Sequence, residues 1–329
     1  MSSITDVPGF RVGQVERVGE GWLTGVTVVV PPRGTVAQAV IRGSAPASHQ
    51  VAALHPGATS PTPQAIVLTG GSSYGLIAAH GVARRFAEVG LGYAAGPGPH
   101  DVIPLVPAAA IYDVGRGGDF HAVPTDQMGY DAAAQAIASA DHADVRRGSV
   151  GAGTGAALFH ERYKGGVGTA SVTITLAGGV AVRIGALAVV NAFGSPLDAH
   201  GDPAPLPEGE RHPGYPAAGN TTLIVLATDA RLDLGTLQQT ASTAHDGLAR
   251  TLDPVHTLAD GDAVFALASG DVEIPGVSDR FSQPRVWRDQ IIGLQAAAAR
   301  VTAEAIRDGV RHGSLTVTPA FTFHPFPGL

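Results

Sequence analysis

The segment Ser195–Ala227 runs SPLDAHGDPAPLPEGERHPGYPAAGNTTLIVLA. Prolines stand at 196, 203, 205, 207, 213 and 216. Each removes a backbone donor and fixes φ, so residues 195–219 are expected to form an exposed, semi-extended loop outside the core. A loop of about 25 residues is longer than compact domains usually keep without a functional reason. The character of the chain then changes in one step. Asn220 ends the loop, and Thr221-Thr222-Leu223-Ile224-Val225-Leu226-Ala227 opens a β-strand of β-branched and aliphatic residues. Such a junction is either a linker meeting its next element or a loop that presents a peptide bond for processing.

Outward from this junction, short β-rich runs alternate with helical patterns. Strands are expected at 26–30, 65–69, 110–112, 170–176, 180–184 and 263–267, with Ala177-Gly178-Gly179 closing a hairpin between the fourth and fifth. Helical patterns occupy roughly 75–88, 125–139, 235–250 and 285–308. In the last, Ile291, Leu294, Ala298 and Val301 recur at helical spacing as an apolar stripe. The class is α/β or α+β, with 44% hydrophobic residues to fill a large core and 15% charged.

Composition excludes several chemistries. There is no cysteine among the 329 residues, which removes thiol nucleophiles, thiolate metal sites and disulfides and suits a cytoplasmic chain. No signal peptide is visible at the N-terminus, and no apolar run approaches the roughly 20 residues of a membrane span. A net charge of −7 without a basic cluster argues against nucleic acid. The 13 histidines show no metal-binding spacing, and neither a metal nor another cofactor is expected. The 21 basic residues include one lysine, Lys164, the only one of them whose charge an environment can tune.

Three motifs suggest chemistry. Gly71-x-Ser73-x-Gly75 between a strand and a helix fits a nucleophile elbow, or else a tight turn that needs its glycines. Gly151-Ala152-Gly153-Thr154-Gly155-Ala156 resembles a dinucleotide fingerprint, but Arg146-Arg147-Gly148-Ser149 precedes it instead of an apolar strand. At Asn220-Thr221, cleavage of the bond would give Thr221 a free α-amine, a general base for its own hydroxyl with a reference pKa of about 7.7–8.0.

Taken together in order, several stretches resemble one family. They are Ile4–Gly13, Leu68–Leu76, Gly151–Gly155 followed by Lys164-Gly165-Gly166, Val190-Asn191-Ala192-Phe193-Gly194, Asn220-Thr221-Thr222-Leu223 and Val255–Asp262. The family is that of the self-processing N-terminal-nucleophile amidohydrolases, which includes DmpA-type aminopeptidases and nylon oligomer hydrolases. The asparagine–threonine junction and the Asp260-Gly261-Asp262 pair lean to the nylon hydrolase branch.

The resemblance implies an α+β fold, a four-layer αββα sandwich, as one folding unit over 1–329 that is cut into 1–220 and 221–329. It implies a homo-oligomer, commonly a tetramer. It also implies a site: Thr221 as nucleophile after Asn220, Lys164, Asn191, Asp260, Asp262 and Tyr112. Physically, Asn191 would donate to the oxyanion. Asp260 and Asp262 would hold the Thr221 ammonium and hydroxyl. Lys164 would place a charge near both. The expected substrate is a small linear amide, with 6-aminohexanoate oligomers first and short or D-/β-amino-acid peptides as the alternative. A serine esterase using Ser73 and a non-catalytic binding protein with a proline linker stay open at this level.

Overall fold

The structure is a computed structural model that describes residues 2–59, 61–198, 200–203, 219–275 and 284–328. Two five-stranded sheets form its centre. The first contains β1 (Arg11–Gly19), β2 (Trp22–Val30), β4 (Ala47–His49), β5 (Ile66–Thr69) and β6 (Ala108–Ala110), in the order β1-β2-β5-β6-β4. The second contains β3 (Val36–Ile41), β7 (Gly166–Thr175), β8 (Ala181–Asn191), β9 (Thr221–Ala230) and β10 (Ala263–Val272), in the order β7-β8-β9-β10-β3. Four helices flank them: α1 (Ala78–Glu88), α2 (Asp126–Ala138), α3 (Leu234–Ala249) and α4 (Pro284–Arg311).

Strand periodicity fixes the layers. In β9, Leu223, Val225 and Ala227 join Leu187, Val189, Phe265 and Leu267 against Ile66, Leu68 and Ala109 of the first sheet. Alternate residues Ile224 and Leu226 face the other way, with Leu237, Ala241 and Leu248 of α3 and Leu294, Ala298 and Val301 of α4. Val26, Val28 and Val67 on the outer face of the first sheet pack with Val82 and Phe86 of α1 and Met128 and Ala132 of α2. The result is helix, sheet, sheet, helix. All ten residues of β9 are buried because both of its faces are covered, which is why its middle, Leu223–Ala227, is an unbroken apolar run. Truncating a residue such as Leu223 to alanine would cost about 2–5 kcal/mol.

Local signals explain the boundaries. Asp233 caps α3 by accepting the Thr236 N–H at 2.9 Å. The expected hairpin is present, turning through Ala177–Gly179 between β7 and β8. Three expectations shift. The strand expected over 110–112 lies at Ala108–Ala110, where it pairs in parallel with β5, and Tyr112 has already left the sheet. The strands expected at 170–176 and 180–184 are longer, at Gly166–Thr175 and Ala181–Asn191. The proline-rich stretch does not begin as an exposed loop: Ser195–Pro196 is a buried two-residue strand paired with Leu252–Asp253. Proline is tolerated there because so short a ladder does not need its missing donor. Residues 199 and 204–218 of the expected loop lie outside the described residues. Among the described residues, no helix is long and apolar enough to cross a membrane.

Candidate active site

The second sheet brings three strand ends together. β8 finishes at Asn191, β9 starts at Thr221, and the two residues are direct partners across the antiparallel pair. β10 runs parallel to β9, so the residues that lead into it arrive beside the start of β9. Asn220 forms a parallel bridge with Asp260; its N–H donates to Ala259 O at 3.0 Å, and its own carbonyl accepts the Gly261 N–H at 3.0 Å. From the other sheet, Tyr112 leaves β6 and sets its ring against Gly219, immediately before Asn220.

Thr221 is 3% exposed, and its hydroxyl donates to the Asn220 carbonyl oxygen at 2.6 Å. The space beside that hydroxyl admits only glycine at 261. A Cβ there would lie 2.9 Å from Thr221 Oγ1 and 2.7 Å from Ala45 O, closer than packed atoms approach.

Both carboxylates are buried and engaged. Asp262 accepts the Thr222 N–H on one oxygen at 2.7 Å. Its other oxygen receives the His256 N–H at 3.1 Å and lies 2.7 Å from His256 Nδ1. Asp260 accepts from the Thr257 N–H at 2.9 Å and the Thr257 hydroxyl at 2.5 Å. Burial, followed by the neighbouring Asp262 carboxylate, raises the Asp260 pKa. Asp262 therefore grips the start of β9 one residue beyond the threonine. The Thr221 hydroxyl is not bonded to either acid among the described residues.

Lys164 is fully buried in the two-residue strand Tyr163–Lys164. Its Nζ donates to three carbonyls: Gly153 at 3.0 Å, Ala156 at 2.8 Å and Gly165 at 3.1 Å. The glycine-rich stretch 151–155 thus offers a carbonyl to a cation, whereas a dinucleotide turn offers N–H groups to phosphate. Burial pushes the Lys164 pKa down to about 7; the Arg116 guanidinium adds to the effect, and the Asp113 carboxylate opposes it. Asp113 is itself shifted upward by burial, although it accepts the Gly71 N–H at 2.6 Å.

Asn191 is fully buried. Its Oδ1 accepts from the Ala157 N–H at 3.0 Å and from Arg116 Nη1 at 2.5 Å, and its Nδ2 lies 3.4 Å from Tyr112 O. Lys164 reaches Asn191 through Ala156-Ala157: one residue takes the ammonium on its carbonyl, and the next gives its N–H to the asparagine.

The residues singled out in the sequence thus gather at one place. Asn191, Asn220, Thr221, Asp260 and Asp262 share a sheet end, Tyr112 borders it, and Lys164 sits behind Asn191. Ser73 is exposed in the one-turn helix Ser72–Gly75, with no hydrogen bond to these residues or to a base among the described residues. Sequence reading missed three polar residues here: the buried Arg116 and Asp113 and the partly buried His256. His256 and Asp113 lay within or beside quoted motifs. Arg116, in Gly115-Arg116-Gly117-Gly118, carried no signal beyond an arginine among glycines.

Residues 2–320 match the family model described as Peptidase family S58. An uncharacterized aminopeptidase of Mycobacterium tuberculosis is 42% identical over 337 residues, covering 94% of this chain and 94% of that protein. A 6-aminohexanoate-oligomer endohydrolase of Agromyces is 30% identical over 321 residues, covering 93% of this chain and 84% of the other. The l-aminopeptidase d-ala-esterase/amidase of Ochrobactrum anthropi, described as a variant of the Ntn hydrolase fold, superposes with a TM-score of 0.77. That superposition covers 99% of this chain and 91% of the other at 21% identity. Identity is thus higher to the mycobacterial aminopeptidase than to the nylon oligomer hydrolase towards which the junction motifs lean.

Proposed function

Because this chain belongs to peptidase family S58, we propose that it is an amide hydrolase that cuts its own Asn220–Thr221 bond and then uses Thr221 as an N-terminal nucleophile. One observation carries this reading: the Thr221 hydroxyl sits 2.6 Å from the carbonyl oxygen of the peptide bond before it, and the Gly261 N–H holds the same oxygen.

In self-cleavage, Thr221 Oγ1 bonds to the Asn220 carbonyl carbon while the Gly261 N–H meets the charge that develops on the oxygen. The C–N bond breaks, and the hydroxyl proton passes to the departing nitrogen. The result is an ester with a free α-amine. Water hydrolyses the ester, leaving the Asn220 carboxylate and restoring the hydroxyl. In turnover, the α-amine takes the Thr221 proton as Oγ1 attacks a substrate amide, then gives it to the leaving amine; water releases the acyl group. Asn191 Nδ2 is the donor to the substrate oxyanion. Tyr112 borders the site beside the scissile junction. Asp262 holds the start of β9, Asp260 carries the adjoining loop, and the Lys164 ammonium favours the neutral α-amine.

Pieces 1–220 and 221–329 stay one folding unit in this reading, supported by β8 and β3 of the first piece pairing with β9 and β10 of the second. The resemblance also brings a homotetramer, which light scattering measures.

The substrate is a linear amide. The Asn220-Thr221 junction and the Asp260-Gly261-Asp262 pair favour 6-aminohexanoate oligomers. The 42% identity to an aminopeptidase favours the second reading, short peptides cut next to a free amine. Hydrolysis of both substrate sets side by side decides between them. The mechanism itself is tested on a denaturing gel. In proportion to 33.3 kDa for the whole chain, pieces of roughly 22 and 11 kDa should appear, the smaller beginning at Thr221. An active preparation that remains one intact chain would refute it.

A further inference from the structure

Asn191 serves the proposed mechanism only if its amide nitrogen, and not its oxygen, faces the reacting carbonyl. The orientation of a side-chain amide is set by its neighbours. Two of those neighbours are unambiguous. Arg116 Nη1 points at one terminal atom of Asn191 at 2.5 Å, and the Ala157 N–H points at the same atom at 3.0 Å. A guanidinium has donors and no acceptor, and a backbone N–H can only donate. The atom they address must be the oxygen, so the NH2 turns outward, towards Tyr112 O and the strand start that carries Thr221. The reverse orientation would set three donor groups against one another between side chains that are both buried.

Arg116 is itself held from several sides. It is 1% exposed and the largest fully buried side chain of the described residues. Nη1 also donates to Gly155 O at 2.8 Å, while Nε and Nη2 each lie 3.1 Å from Glu161 Oε1. Its carbonyl accepts the Thr318 hydroxyl at 2.8 Å, which ties the loop to the C-terminal segment. So many contacts on a rigid planar group leave it little freedom to swing away from Asn191.

We infer that Arg116 is a positioning residue of this enzyme, which locks the Asn191 side-chain amide with its N–H groups towards the oxyanion. The inference deepens the reading of Asn191 as oxyanion donor and rests on it. A lysine at 116 would keep a positive charge but could not reach Asn191, Gly155 and Glu161 in one plane. The charge has a second effect nearby: it adds to the burial that holds the Lys164 pKa low, against the opposing Asp113 carboxylate.

The test is a double-mutant cycle on the full chain, with cleavage checked by gel and folding by thermal melting. The substrate is whichever linear amide the unaltered protein hydrolyses. Asn191→Ala should lower kcat by about 10²–10³-fold, as loss of one oxyanion donor does. Arg116→Lys should lower kcat by about 10–100-fold with KM within about threefold, a fraction of that loss. Added to Asn191→Ala, it should lower kcat no further, because no amide remains to orient. Losses that multiply in the double variant, or normal kcat in folded and cleaved Arg116→Lys, would overturn the positioning role. If Arg116→Lys fails to fold, Glu161→Gln loosens the guanidinium from its far side. It should show the same non-additive pattern at about threefold to tenfold, and unchanged kcat would overturn the role as well. Normal turnover by Asn191→Ala would instead reject the donor assignment on which all of this stands.

Discussion

Two turns in this chain bring a hydroxyl-bearing residue to a strand end among glycines: Gly70-Gly71-Ser72-Ser73-Tyr74-Gly75 after β5, and Gly219-Asn220-Thr221 before β9. The first fits a known nucleophile pattern better than the second fits any. In the structure their merits reverse. Ser73 points to solvent, and the glycines around it serve packing: Gly71 adopts φ +77° and gives its N–H to buried Asp113. Thr221 is sealed in, its hydroxyl on the carbonyl it would attack and its strand held by Asp262. What separates the two is the surroundings of the hydroxyl, since a nucleophile needs a base, a donor for the oxyanion and exclusion from bulk water. A motif supplies none of these by itself.

Substitution of the threonine should produce the largest effect. Thr221→Ala removes the attacking oxygen from both reactions, so the chain should stay whole on a gel. Amide hydrolysis should fall by about 10⁴-fold or more, as loss of a nucleophile does. Gly261→Ala comes next and attacks the surroundings instead. The added methyl would sit 2.9 Å from Thr221 Oγ1 and displace the Gly261 N–H from the Asn220 carbonyl. Self-cleavage should slow by about 10²-fold, measured as the rate at which the 11 kDa piece appears after refolding. Cleavage at the normal rate would show that the Gly261 N–H is not the donor.

Lys164 supplies a comparison in pH. Its pKa of about 7 in the fold lies well below the 10.5 of a free side chain. Between these values the unfolded chain binds a proton that the folded chain does not. This group therefore makes stability rise with pH from about 7 to about 10.5, and its destabilising effect is complete and constant below 7. Lys164→Met should flatten that slope in denaturant titrations, by a few kcal/mol at most across the window. In turnover the sign is opposite if the ammonium is the working form: activity should fall as pH rises through about 7. Lys164→Arg would keep a charge at every pH, but three carbonyls within 3.1 Å leave no room for a guanidinium. It should lose most activity; near-normal turnover would make Lys164 a structural survivor in an arginine-rich chain.

The two turns also show what a sequence can disclose. Layers were legible because a strand buried on both faces is written as an apolar run and a helix as a stripe. The gathering of Thr221 with Asn191 and the Asp260–Asp262 segment came from resemblance, and the topology gives it a cause: β8, β9 and β10 are neighbours, so their ends meet. Arg116 was illegible for the opposite reason. It lies 75 residues from Asn191 in an irregular loop, and no periodicity links them. Its burial is decided by Gly155, Glu161 and Asn191, none of which is near it in sequence. His256 stands inside Val255–Asp262 without any local pattern that marks it. Its role depends on a left-handed backbone, φ +57°, that turns the ring back onto Asp262. The proline stretch misled at its start because two residues of pairing with Leu252–Asp253 are too short to leave a pattern.

The smallest expected effect completes the contrast. Ser73→Ala removes a hydroxyl that is exposed and, among the described residues, bonded to no base. The alanine fits the same one-turn helix, and the turn itself depends on Gly71 and on Asp113, which remain. Stability should change by less than about 0.5 kcal/mol, as for other surface substitutions. Cleavage should be complete, and amide hydrolysis should stay within about twofold of the unaltered protein. Esterase activity on an activated ester is the sharper measurement, because weak esters reveal a nucleophile that amides would not. If ester hydrolysis survives in Thr221→Ala and vanishes in Ser73→Ala, the exposed turn is a second working site and burial is not what divides the two. If both activities follow Thr221 alone, the glycines at 71 and 75 are there for the turn.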